Sequence, residues 1–324
     1  MKRQTEITKY CGRHAVFTAA SILSALLIVF TLAGCRDTVR DTDNRLHINE
    51  ETIDIENMDG EFRLFFIADS HISKCDARDV ALIPKAAERA YMYRTDEIDS
   101  WDRFDMLMSE AKAWNSDIVV LGGDIIDSAM YASIDHVRNS LAELDRPYMY
   151  YMGNHDFEYG DEYYTQKAYE EYLPRLEDLH GNKSWQAVEY DDFIIFAADD
   201  GNNQIDKEAL EAFKKEVSKG KPVIVSIHVP MEPETGPGPF LNKVTEIYGK
   251  EIADSIQLFM GKDGCPPNQV TQEFMDLVMA DNSPVILVLA GHVHFYHKEM
   301  LNGKTLQIIS GPAYSGEALK ITLR

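Results

Sequence analysis

Tyr148-Met149-Tyr150-Tyr151-Met152-Gly153-Asn154-His155-Asp156 is the stretch on which the reading of this 324-residue chain turns. Five apolar and aromatic residues in a row make a run of the length of a buried strand. It stops at a glycine, which permits a tight turn, and an amide, an imidazole and a carboxylate follow at once. Donor groups are therefore expected where a strand ends.

The same break recurs along the chain. Phe62–Ala68 runs into Asp69-Ser70-His71, Ile118–Leu121 into Gly122-Gly123-Asp124, Val223–Ile227 into His228, and Val285–Ala290 into Gly291-His292-Val293-His294. Three more runs, Phe193–Ala198, Leu306–Ile309 and Ala318–Leu323, complete a set rich in Val, Ile, Phe and Tyr. Their continuity predicts strands buried on both faces. Helices are expected between them at Val80–Tyr93, Trp101–Trp114, Ile134–Leu144 and Lys207–Ser218. The last closes with Lys214, Lys215, Lys219 and Gly220, as helix C-termini prefer. Strands alternating with helices predict α/β layers.

Asp69 and His71 are two residues apart, so in an extended segment they project to the same side, and His292 and His294 repeat that spacing. Mixed carboxylate, amide and imidazole donors suit Mn, Fe, Zn or Co better than Ca or Mg, which prefer all-oxygen shells.

These five motifs, in this order, resemble the calcineurin-like metallophosphoesterase superfamily over roughly residues 62 to 324. The resemblance implies a four-layer α/β sandwich of two mixed β-sheets flanked by helices. It also implies a phosphoric ester hydrolase with two divalent transition-metal ions, in which a metal-bound hydroxide attacks the phosphorus in line. Asp69, His71, Asp124 and His294 would hold one ion. Asp124, Asn154, His228 and His292 would hold the other, with Asp124 bridging. His155 would protonate the leaving group, and Asp156 would orient its imidazole. Asp127 reads as the cap of a following helix. The protein phosphatases of the superfamily carry an Arg soon after Gly-Asp and another after Gly-Asn-His. Here Ile125-Ile126-Asp127 and Asp156-Phe157-Glu158 stand in those places. The expected substrate is therefore a small phosphomonoester or phosphodiester. The alternative is a non-catalytic surface binding protein that keeps the scaffold.

The N-terminus is a separate object. Lys2, Arg3, Lys9 and Arg13 precede an uncharged stretch from Ala15 to Ala33 that ends in Leu32-Ala33-Gly34-Cys35. A positive head, an apolar middle and small closing residues describe an export signal. The last four resemble a bacterial lipobox, which implies lipid on Cys35; a retained membrane anchor is the other reading of the same stretch. The expected organisation is a signal over 1–34, lipidated Cys35 and a flexible tether over 35–60, and a catalytic domain over 61–324. Export would leave Cys75 and Cys265 either paired or as two buried thiols.

Net charge is −22. Lys2, Arg3, Lys9 and Arg13 against Glu6 give residues 1–34 a charge of +3, which leaves −25 for the rest. Such a surface repels a phosphate backbone and excludes long nucleic acid as a partner. Two divalent ions would outweigh the carboxylates that hold them, so a phosphorylated substrate would be drawn by the site and not by the surface. Two segments remain. Tyr159–Tyr172 carries five tyrosines and reads as a packed helix with polar tips. Gly236-Pro237-Gly238-Pro239-Phe240 opens an insertion reaching about Asn282, either a substrate rim or a surface excursion.

Overall fold

Buried apolar strands dominate the architecture of the computed structural model, which describes residues 45–159, 166–181, 184–253, 258–261 and 266–324. The expected signal, Cys35 and Cys265 lie outside those residues. The strands are β1 (His47–Ile53), β2 (Phe62–Ile67), β3 (Ile118–Gly122), β4 (Tyr148–Tyr151), β5 (Trp185–Glu189), β6 (Ile194–Ala198), β7 (Val223–Ser226), β8 (Val285–Ala290), β9 (His297–Met300), β10 (Leu306–Ile309) and β11 (Glu317–Leu323). The helices are α1 (Ile83–Met92), α2 (Ser100–Ala113), α3 (Tyr131–Leu144), α4 (Gln166–Tyr172), α5 (Glu177–His180), α6 (Lys207–Val217), α7 (Gly238–Tyr248), α8 (Lys250–Ala253) and α9 (Gln269–Met279).

The strands form two mixed sheets, in the orders β1-β11-β2-β3-β4 and β5-β6-β7-β8-β10-β9. In the first, β2, β3 and β4 run parallel while β11 pairs antiparallel with β2. In the second, β6, β7, β8 and β10 run parallel, and antiparallel β5 and β9 close its edges.

Strand periodicity explains the layers. On β2, Leu64 and Phe66 face Ile195, Ile224, Leu287 and Leu289 of the second sheet, while Phe65 and Ile67 pack on Phe104 and Leu107 of α2 and Val137 and Leu141 of α3. Outside the second sheet, Phe196 meets Phe213 of α6 at 5.1 Å, and Phe213 meets Phe274 of α9 at 4.6 Å. Helix, sheet, sheet, helix is the four-layer α/β sandwich expected. Helices α7 and α8 fall in a separate compact unit.

The expected tether is shorter than residues 35–60. Its mostly polar segment His47–Ile53 forms β1, paired in parallel with β11 from His47↔Glu317 to Ile53↔Leu323, and Ile55 is buried. One face of an edge strand can stay wet, so a polar sequence still pairs.

Candidate metal centre

The five motifs meet at one end of the sheets, at the C-terminal ends of β2, β3, β4, β7 and β8. Asp69, His71, Asp124 and His228 are almost wholly buried, Asn154 is buried, and His294 keeps 23% exposure. Two groups of donors close to within 4.8 Å of one another: Asp69, His71 and His294, and Asp124, His228 and His292. They interlock, with His71 Nε2 3.8 Å from Asp124 Oδ2 and His228 Nε2 3.9 Å from Asp69 Oδ1. Asn154 sits on the turn whose His155 N–H donates to Asp124 Oδ1 at 2.7 Å.

The expectation that Asp69/His71 and His292/His294 share a side through extended backbone is wrong. Asp69 (φ 56°), His71 (φ 47°), Asp124 (φ 52°), His292 (φ 75°) and His294 (φ 55°) all lie in the left-handed region. Each of these five is aimed by a tight turn and not by strand alternation. Left-handed non-glycine residues cost free energy and concentrate at functional sites. Neighbouring glycines make room for these turns. A Cβ on Gly123 would fall 2.6 Å from His228 Nδ1 and 2.7 Å from the Gly153 nitrogen.

The donors fit a metal pair. His228 Nδ1 faces the Gly122 carbonyl at 2.8 Å, and a carbonyl only accepts, so the Nδ1 carries the hydrogen. That leaves Nε2 toward the centre, 3.0 Å from Asp124 Oδ2 but without the alignment of a hydrogen bond. His71 likewise turns Nδ1 to Asp127 Oδ1 at 3.3 Å and sets Nε2 3.1 Å from His294 Nε2. Outer partners that fix a tautomer in this way are the usual setting of metal-binding histidines. Burial drives the His71 imidazole down to about 4, overriding Asp127 and Asp124, and so keeps it neutral. Burial opposes charge on Asp124 too, yet His228 and His155 hold its carboxyl well below the usual range. At His228 burial is outweighed by Asp124 and Asp69, which push the imidazole up to about 10. The field that holds a proton there would hold a divalent cation.

Beside the donors lies a cluster that sequence reading did not assemble. His155 Nδ1 is 3.2 Å from Asp127 Oδ1 and 3.0 Å from Glu158 Oε1. Burial would discharge His155, but Glu158, Asp124 and Asp127 hold its pKa well above the ordinary value. Arg89 of α1 grips both oxygens of Asp127 and sets an NH2 3.0 Å from His155 Nδ1. Asp127, His155 and Glu158 also converge closely enough to hold a metal, but the guanidinium already supplies the cation there.

Two roles are therefore corrected. Asp127 caps no helix; it joins His71, His155 and Arg89. Asp156 does not orient His155. Its carboxylate accepts the N–H groups of Asp124 (2.7 Å), Ile126 (2.9 Å) and Gly153 (2.6 Å) and the Tyr150 hydroxyl (2.8 Å), tying the β3 and β4 turns together. Burial and Asp124 push it up to about 7. Asp200, unnoticed in the sequence, does the same after β7, accepting the N–H groups of His228 and Val229 at 2.8 Å each. It follows the apolar run Phe193–Ala198, the signal that marks the other motifs. Neighbouring Asp199 accepts the Tyr169 hydroxyl at 2.9 Å, which anchors the tyrosine-rich segment. Tyr93 stacks on His71 at 4.1 Å, and Tyr314 lies 5.0 Å from Tyr93, forming an aromatic wall.

The sequence model described as calcineurin-like phosphoesterase matches residues 62–296. The chain belongs to that family. This phosphoesterase resembles solved structures that include a dimetal phosphatase from Danio rerio (11% identity, 78% of this chain and 88% of that one, TM-score 0.49). A purple acid phosphatase from yellow lupin seeds (14%, 81% and 46%, 0.47) and a calcineurin-like phosphoesterase from Bacillus subtilis (11%, 78% and 82%, 0.41) are also similar. None of the curated proteins matches it. The phosphoesterase is a metal-dependent phosphoric ester hydrolase of a binuclear family.

Proposed function

We propose that this phosphoesterase is an exported, membrane-tethered enzyme that hydrolyses a small phosphomonoester or phosphodiester. The observation that carries the catalytic part is the placement of His155, faced by Asp127 and Glu158, beside two interlocked donor groups. Asp69, His71, Asp124 and His294 would hold one divalent transition ion, and Asp124, Asn154, His228 and His292 the other. Such a pair supplies a nucleophile at neutral pH and positive charge for the phosphate oxygens. His155, held protonated by Glu158 and Asp127, donates a proton to the leaving alkoxide through Nε2. Asp156 and Asp200 hold the turns that aim the ligands.

Export and tethering rest on the N-terminal pattern ending in Leu32-Ala33-Gly34-Cys35. Among the described residues no helix is long and apolar enough to cross a membrane. The test has two parts. Metal-reconstituted protein is screened against phosphate mono- and diesters, where no turnover of any would sink the substrate assignment. Cys35→Ala is then compared with the parent by mass and fractionation. Normal processing and release of that variant would sink the lipid anchor.

A further inference from the structure

Large apolar side chains exposed among the described residues are few, and half of them lie on one short segment. Val80 is 66% exposed, Ile83 45% and Tyr91 79%, all on α1 or the 3-10 turn Ala77–Leu82 that leads into it. Ile83, Ala87 and Tyr91 recur every four residues, so they line one face of the helix, and Ala87 is exposed with them. The opposite face is occupied. Ala86 packs with Leu82 and Met130, and Arg89 reaches Asp127 and His155. Among the described residues nothing covers the outward stripe.

The place where the described chain begins says what covers it. Arg45 is held through its carbonyl by Arg103, whose other NH2 bonds Asp96 at 3.3 Å, just beyond the end of α1. Thr95 bonds the Tyr314 carbonyl at 2.9 Å, and His47 bonds Gly316 at 2.8 Å, so the root of the tether and the end of α1 share one corner. Only residues 36–44 separate Arg45 from Cys35, a reach of at most about 30 Å. We propose that the apolar stripe formed by Val80 and, on α1, Ile83 and Tyr91 rests on a lipid bilayer, holding the partly exposed Arg89 and His155 close to the membrane interface. The binding of a helix whose apolar face meets the headgroup–acyl boundary scales with buried apolar area as well as with attraction to anionic lipid. With a net charge of −25 on residues 35–324, the chain favours this apolar contact over an anionic-lipid patch, and a bilayer over a second, equally acidic copy. The surface rests on the tethered reading for its nearness to lipid. It deepens that reading by favouring phosphate esters presented at an interface.

The test uses the full chain with Tyr91→Trp, reconstituted in phosphatidylcholine vesicles with acyl chains brominated or not. A ring about 5–10 Å into the boundary should lose about half of its added emission to the bromines. High salt should leave that loss unchanged. Adding Ile83→Glu, or separately Val80→Glu, should abolish it. Absence of quenching in the first protein, its persistence in both charged variants, or its disappearance in salt would overturn the proposal. Processing at Cys35 is read by mass in the same samples, so a failed anchor and a failed stripe give different results.

Discussion

Arg89 closes on Asp127 through two hydrogen bonds of 2.5 Å, Nε to Oδ2 and NH2 to Oδ1, across 38 residues of sequence. The same carboxylate faces the Nδ1 of both His71 and His155. One buried group thus links a candidate ligand to the candidate acid. Asp127→Asn should weaken metal binding about 10–100-fold, the usual cost of losing an outer partner, and move the acidic group of the kcat–pH profile downward. Unchanged metal titration with an unchanged profile would refute the linkage.

Asp124 is the point at which the two donor groups touch. Asp124→Asn should leave less metal per chain and cut turnover by more than about 100-fold. Atomic absorption and a phosphate-release assay decide the matter. Full metal content with full activity would rule out a bridging carboxylate.

His155→Gln should retain both ions and lower kcat by about 10²–10⁴ on alkyl phosphates, the usual worth of a positioned acid. Nitrophenolate leaves without a proton, so nitrophenyl phosphate should suffer far less. Equal losses on both substrates would assign His155 to phosphate positioning.

Asp200→Asn offers one acceptor oxygen where two backbone N–H groups now bind. An unsatisfied buried donor costs about 1–3 kcal/mol, so urea midpoints should fall, and metal should leave the His228 side first. A variant with parental stability and metal content would show that the β7 turn holds itself.

The pH dependence has a definite sign. In the metal-free fold His228 is raised from 6.5 to about 10. Its stabilising contribution is complete below 6.5 and is lost as pH rises through 10. A metal ion must displace that proton, so binding weakens about tenfold per unit as pH falls through this window. The gain in Tm on adding Mn²⁺ should therefore grow from pH 6.5 to 9. A gain that shrinks with rising pH would contradict the assignment of His228.

Eight of the strands were legible because they are continuous apolar runs. The three that were not, β1, β5 and β9, are all edges of the two sheets. Their sequences, such as His297-Lys298-Glu299-Met300, carry polar residues because one side of the ladder meets water. The ligands were legible because their residue types are rare and ordered. Arg89, Glu158 and Asp200 were not, since common charged residues acquire meaning only when folding brings them to a particular neighbour. Asp156 shows the converse: its motif was recognised, but only the geometry revealed that it holds backbone and not an imidazole.

Strand β11 lies between β1 and β2, pairing Leu319 with Phe66 on one side and with Asn49 on the other. The first sheet therefore cannot close until β11 has been synthesised. A nascent chain would hold the β2 edge that β11 covers open until residues 317–323 had been made, and closure of the sheet would wait for them. Closure of that sheet is thus a long-range event, and folding that waits on such non-local pairing is slow.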